Sequence, residues 1–117
     1  MIRFVALASL LALIAAPAHA EPALPKFNYP TTARADYVIG CLAGSGFKRE
    51  LLDRCSCAID TIADLMPYDD YDQAATILSM QQGGLGARTS MFRDTPIAKQ
   101  RTEELRRAQA EASLRCL

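Results

Sequence analysis

The sequence predicts an all-α domain: a compact bundle of about four helices stapled by two disulfides, following a cleaved signal peptide. Three observations carry this. Apolar residues recur at helical spacing in four segments divided by Gly and Pro. No segment shows the alternation of a half-buried strand. Four cysteines, an even number, sit in a short chain of 117 residues that opens on an export signal.

Residues 1–20 read as the signal peptide. Arg3 supplies the positive start, Phe4–Ala16 the apolar stretch, and Ala18-His19-Ala20 a small-x-small cleavage site. The apolar stretch is shorter than the roughly 20 residues that a membrane span needs. Glu21 follows the expected cut instead of cysteine, which argues against a lipid anchor. The expected location is the periplasm. Cleavage removes His19, the one histidine, and the chain has no tryptophan. No Ser-His or Cys-His pair and no imidazole zinc site can then be built. With 13 basic and 13 acidic side chains there is no cationic footprint for nucleic acid. These exclusions point away from an enzyme.

Residues 21–30 hold Pro22, Pro25 and Pro30 and predict an extended arm with freedom to move. The helical domain occupies 31–117. Thr31 or Thr32 is the expected N-cap of the first helix, with Ala35, Val38, Ile39 and Leu42 inward and an end at Gly44-Ser45-Gly46. The second helix, about 48–66, has the clearest apolar stripe: Leu51, Leu52, Cys55, Ala58, Ile59, Ile62 and Met66. Pro67 stops it. A third helix should start at Asp69 or Asp70 and run to Gln82, with Tyr71, Ala74, Ala75 and Leu78 inward. Gly83–Asp94 reads as a loop, in which Met91 and Phe92 could dock a partner. Thr95 then caps the last helix, with Pro96 in its first turn. Its expected inner face is Ile97, Arg101, Leu105, Ala108, Ala112 and Cys116.

Cys41, Cys55, Cys57 and Cys116 predict structural disulfides. Cys55-Ser56-Cys57 is not the C-x-x-C of thiol oxidoreductases, and no haem-attachment C-x-x-C-H exists. Two residues apart on one helix, Cys55 and Cys57 point roughly 200° away from each other. Each must reach a different helix, one taking Cys41 and the other Cys116. The spacing leaves open which takes which.

Between Asp53 and Asp72 stand six aspartates against Arg54 alone. Asp53, Asp60 and Asp64 form a stripe that arginines of the last helix (Arg101, Arg106, Arg107, Arg115) are placed to neutralise. Asp69, Asp70 and Asp72 are the candidate metal ligands. One or two of them are accounted for by capping and by the helix dipole, and Asp70 is surplus. Hard cations such as calcium take about 6–8 oxygen ligands. Three carboxylates cannot enclose one, so such a site is open, completed by water, by Glu103 or Glu104, or by a second molecule in a metal-bridged homodimer. Its affinity should fall as pH drops through the ordinary Asp range, about 4. No EF-hand spacing is present.

With Cys41, Leu51-Leu52-Asp53-Arg54-Cys55-Ser56-Cys57-Ala58-Ile59-Asp60, Pro67-Tyr68-Asp69 and Phe92-Arg93-Asp94, the chain resembles a group of small exported four-cysteine proteins. These are accessory proteins of bacterial gene clusters for quinoprotein alcohol and methanol oxidation, and some members bind lanthanide ions. The resemblance implies a non-enzymatic periplasmic protein with a lanthanide ion as cargo, calcium being the alternative. The alternative is a metal-free interaction module or chaperone whose partner is a protein of the quinoprotein dehydrogenase system.

Overall fold

A computed structural model of the chain describes residues 25–82 and 94–117. The expected signal peptide and the Met91–Phe92 loop lie outside these residues. Among the described residues there are four α-helices and no strand: α1 (Thr31–Gly44), α2 (Leu52–Leu65), α3 (Tyr68–Gln82) and α4 (Pro96–Arg115), with a 3-10 turn at Arg49–Leu51. No described helix is long and apolar enough to cross a membrane. Helix α2 is central, packed against α1 and α4, and α3 packs on α4. The fold class is the one the spacing predicts.

Each boundary has a local cause. At the end of α1, Gly46 takes a left-handed conformation (φ 74°). Its N–H donates to the Ala43 carbonyl (3.2 Å), and the Phe47 N–H reaches back to Leu42 (2.7 Å). That is a Schellman closure, with glycine where a side chain would be strained. Between α2 and α3, Met66 is extended and Pro67 cannot continue the helix. At the start of α4 the Thr95 hydroxyl accepts from the Ala98 N–H at 3.2 Å, and Pro96 occupies the first turn as expected.

Two starts differ from expectation. Helix α1 begins at Thr31 itself, with Pro30 in the cap position and no side-chain cap. Helix α3 begins at Tyr68, so Asp69 lies inside the first turn instead of capping it. In both cases a proline carbonyl accepts the first bond of the helix: Pro30 from Arg34 (3.2 Å) and Pro67 from Tyr71 (3.1 Å).

The core joins Ile59, Ile62, Ala63 and Met66 of α2 to Tyr71 and Ala74 of α3 and to Leu105, Ala108 and Ala112 of α4. Ala75 and Leu78 pack at its edge, as the third helix's pattern suggests. The disulfides are Cys41–Cys55 and Cys57–Cys116, with Cα separations of 5.9 and 5.8 Å. They resolve the pairing and set how α1 and α4 are rotated. Counting back from Cys116 at about 100° per residue, Ala98 falls in line with it and Ile97 lies about 100° away. Accordingly Ala98 and Thr102 are buried while Ile97 is 53% exposed, which corrects the expected start of that face. On α1 the bonded Cys41 brings Tyr37 and Val38 against the core, leaving Ala35 and Ile39 in solvent.

The described part of the arm, Pro25–Pro30, is docked on α2. The Phe27 N–H donates to the Ala63 carbonyl at 2.9 Å, and the Lys26 N–H to Asp64 Oδ1 at 3.2 Å. Tyr29 is buried in the core, its hydroxyl donating to the Met66 carbonyl at 2.9 Å. These contacts hold the six described positions of the arm against α2 and the core.

Candidate functional site

Helix geometry separates the three candidate aspartates. Residues 70 and 72 lie about 200° apart around α3, so they serve different faces. Asp70 turns toward α4, where Arg101 Nη2 meets its Oδ1 at 3.1 Å. The same guanidinium binds Glu104 at 2.9 Å and Gln73 at 3.4 Å. Asp70 and Arg101 are only 26% and 20% exposed at their side chains, so this pair is less screened by water than a surface bridge.

Asp70 borders a cleft of about 520 Å³ over Leu65–Pro67, shared with Glu104, Arg107 and Glu111 of α4. Its acids are partnered. Hydrogen bonds from Gln100 and then Arg101 hold the Glu104 carboxyl below the usual range. Glu111 accepts from Arg115 at 3.0 Å, and Glu103, outside the lining, takes Arg107 at 2.8 Å. Glu103 and Glu104, expected to complete such a site, are thus bound to arginines of their own helix.

Asp72 faces a different groove, about 480 Å³, between α1 and α3. Asp36 borders it from α1, and Thr32, Tyr68, Thr76 and Ser79 add hydroxyl groups. No basic side chain lines it. Among the described residues neither Asp36 nor Asp72 is in an ion pair. Tyr71 forms part of the floor. Burial, then Tyr37, Asp36 and nearby groups including Asp72 push its phenol up to about 12. Tyr68 is also raised, by desolvation first and then by Asp72 and Asp69. Asp69, exposed, stands one turn before Asp72 on the same side of α3.

Among the described residues no three His, Cys, Asp or Glu side chains are grouped to hold a metal ion. A single molecule therefore offers two carboxylates in the groove with hydroxyls around them. Asp36 was missed in the sequence because it lies far from the aspartate run. Only the packing of α1 brings it near.

Two of the three aspartates in the α2 stripe are paired, from two sides, and Asp53 is in no ion pair among the described residues. Asp64 meets Arg115 of α4 at 3.6 Å, as expected, but Asp60 pairs with Arg34 of α1. The Arg34 guanidinium also lies 6.0 Å from the centre of the Tyr29 ring, tying arm, α1 and α2 together.

No family model, curated protein or solved structure matches the chain.

Proposed function

We propose that this is a non-enzymatic periplasmic protein that binds a hard metal cation, with a lanthanide ion as its cargo, in a system for quinoprotein alcohol oxidation. The observation that carries the reading is the α1–α3 groove. Its polar groups are carboxylate, hydroxyl and phenol oxygens, and no arginine or lysine lines it; Asp72 also borders a neighbouring pocket between α3 and α4 that Arg101 lines. Hard cations choose such donors. The four-cysteine pattern and the resemblance described above supply the link to quinoprotein systems.

Two carboxylates per molecule are too few for the charge and coordination number of such an ion. Two copies facing one ion double the number, so the proposed complex is a metal-bridged homodimer around Asp36 and Asp72, with Asp69 at its rim. Calorimetric titration of residues 21–117 with lanthanum and calcium, paired with size-exclusion chromatography, tests this. Asp36→Asn with Asp72→Asn should abolish both the heat and the metal-dependent dimer. Asp70→Asn, on the far side of α3, should leave both intact. Binding that survives the first variant and fails in the second would move the site to the α3–α4 cleft.

A second reading, metal-free docking on a partner of the dehydrogenase system, draws on apolar side chains left in water. Phe47, just after Gly46, is itself left-handed (φ 57°) and 66% exposed. Loss of partner capture in Phe47→Ser, with cation binding unchanged, would favour it.

A further inference from the structure

A further pocket lies where α1, α2 and α4 meet, and it shares no residue with the α1–α3 groove. Its volume is about 290 Å³, just under the about 300–1,000 Å³ of small-molecule sites. Tyr37, Leu51, Ala58 and Ala112 give it mainly apolar walls, and Cys41, Cys55 and Cys116 complete them. No carboxylate lines it, and Arg54 is its one cationic residue. Arg54 is in no ion pair among the described residues, although Glu50 stands one turn away on the same helical run. Gln109 also borders the pocket, and among the described residues its one side-chain partner is Ser113, whose hydroxyl donates to the Gln109 backbone carbonyl, leaving the amide group for a ligand.

We infer that this pocket binds a small amphipathic monoanion, a carboxylate with a short apolar tail, held by Arg54 with the tail between α1, α2 and α4. Charge complementarity chooses the occupant. A cation is repelled by Arg54, and a neutral apolar molecule leaves the guanidinium and the Gln109 amide unused. A carboxylate accepts two parallel N–H bonds from the guanidinium fork. The site depends on oxidation, because the Cys41–Cys55 bond holds the α1 wall on α2 and the Cys57–Cys116 bond holds the α4 wall. The bound tail then shields the sulfurs that line the pocket. This inference stands apart from the cation site and survives or fails without it.

The test is titration of the oxidised ¹⁵N-labelled chain, residues 21–117, with sodium octanoate, using 1-octanol as the uncharged match. Saturable amide shifts are expected at Ser45, Arg54, Ala58, Gln109 and Ser113. Arg54→Gln, an exposed change whose fold the same spectra verify, should weaken octanoate about tenfold, the worth of one charged hydrogen bond. It should leave octanol unchanged. Octanoate should also slow reduction of the disulfides by dithiothreitol in the native chain and not in the variant. Equal responses to octanol and octanoate, shifts confined to other surfaces, or undiminished octanoate binding in Arg54→Gln would each overturn the inference.

Discussion

Tyr29 stands in a proline-rich stretch whose composition reads as an arm, yet its ring is 3% exposed. It lies 5.3 Å from the Tyr68 ring and 5.0 Å from the Tyr71 ring, centre to centre. Burial raises its phenol well above the usual tyrosine value, and Tyr71 is pushed up to about 12 by burial and by its neighbours. In each case the folded state holds the proton more tightly than the unfolded state, whose value is about 10. The stability from these protonated phenols is complete below pH 10 and is lost as pH rises toward 12. Each group contributes a slope of at most about 1.4 kcal/mol per pH unit. Urea unfolding at stepped pH should show a flat region up to about pH 10 and a steep fall above it. Stability unchanged to pH 12 would mean that these rings are not buried as described. None of this could be read from residues 21–30, because the partner rings are supplied by α3, about forty positions along the chain.

At the scale of the elements, the breakers were legible and the facing sides were less so. Gly46, Pro67, Thr95 and Pro96 mark their boundaries by local chemistry, and the structure uses each as such. Gly46→Ala should destabilise the fold by about 1 kcal/mol, since alanine must enter the left-handed region. Thr95→Ala should cost about 1 kcal/mol through the lost cap. Thermal melts of the two single variants measure both. Of the α2 stripe, Cys55, Ile59, Ile62 and Met66 are buried as their spacing predicts, while Leu52 is exposed and Ala63, outside the stripe, is fully buried. Helix α4 is rich in alanine, and α1 has no fully buried residue. Their apolar patterns are too shallow to fix a rotation, and the disulfides decide it. The aspartates of α3 show the same limit. Their density was visible, but the split between Asp70 on Arg101 and Asp72 beside Asp36 follows from which helix packs on which side.

At the scale of the molecule, two covalent bonds hold three helices around a small core. The Cys57–Cys116 bond closes a sequence separation of 59 residues and the Cys41–Cys55 bond one of 14. Loop-closure entropy then assigns about 4 kcal/mol to the first and about 3 kcal/mol to the second. Replacing Cys57 and Cys116 by alanine should lower the midpoint of guanidinium unfolding more than replacing Cys41 and Cys55. The reverse order would show that strain or residual structure outweighs loop length.

The proposed cation groove belongs to this scale too, because it exists only while α1 is held beside α3. The chain has four tyrosines and no tryptophan, and Tyr68 and Tyr71 border the groove. A terbium ion bound there should emit when tyrosine is excited. Titration of residues 21–117 with terbium, read by this sensitised emission, tests the central claim most directly. The account expects saturable emission that is lost in the Asp36→Asn, Asp72→Asn variant and kept in Asp70→Asn. Absent emission, or emission indifferent to Asp36 and Asp72, would contradict it.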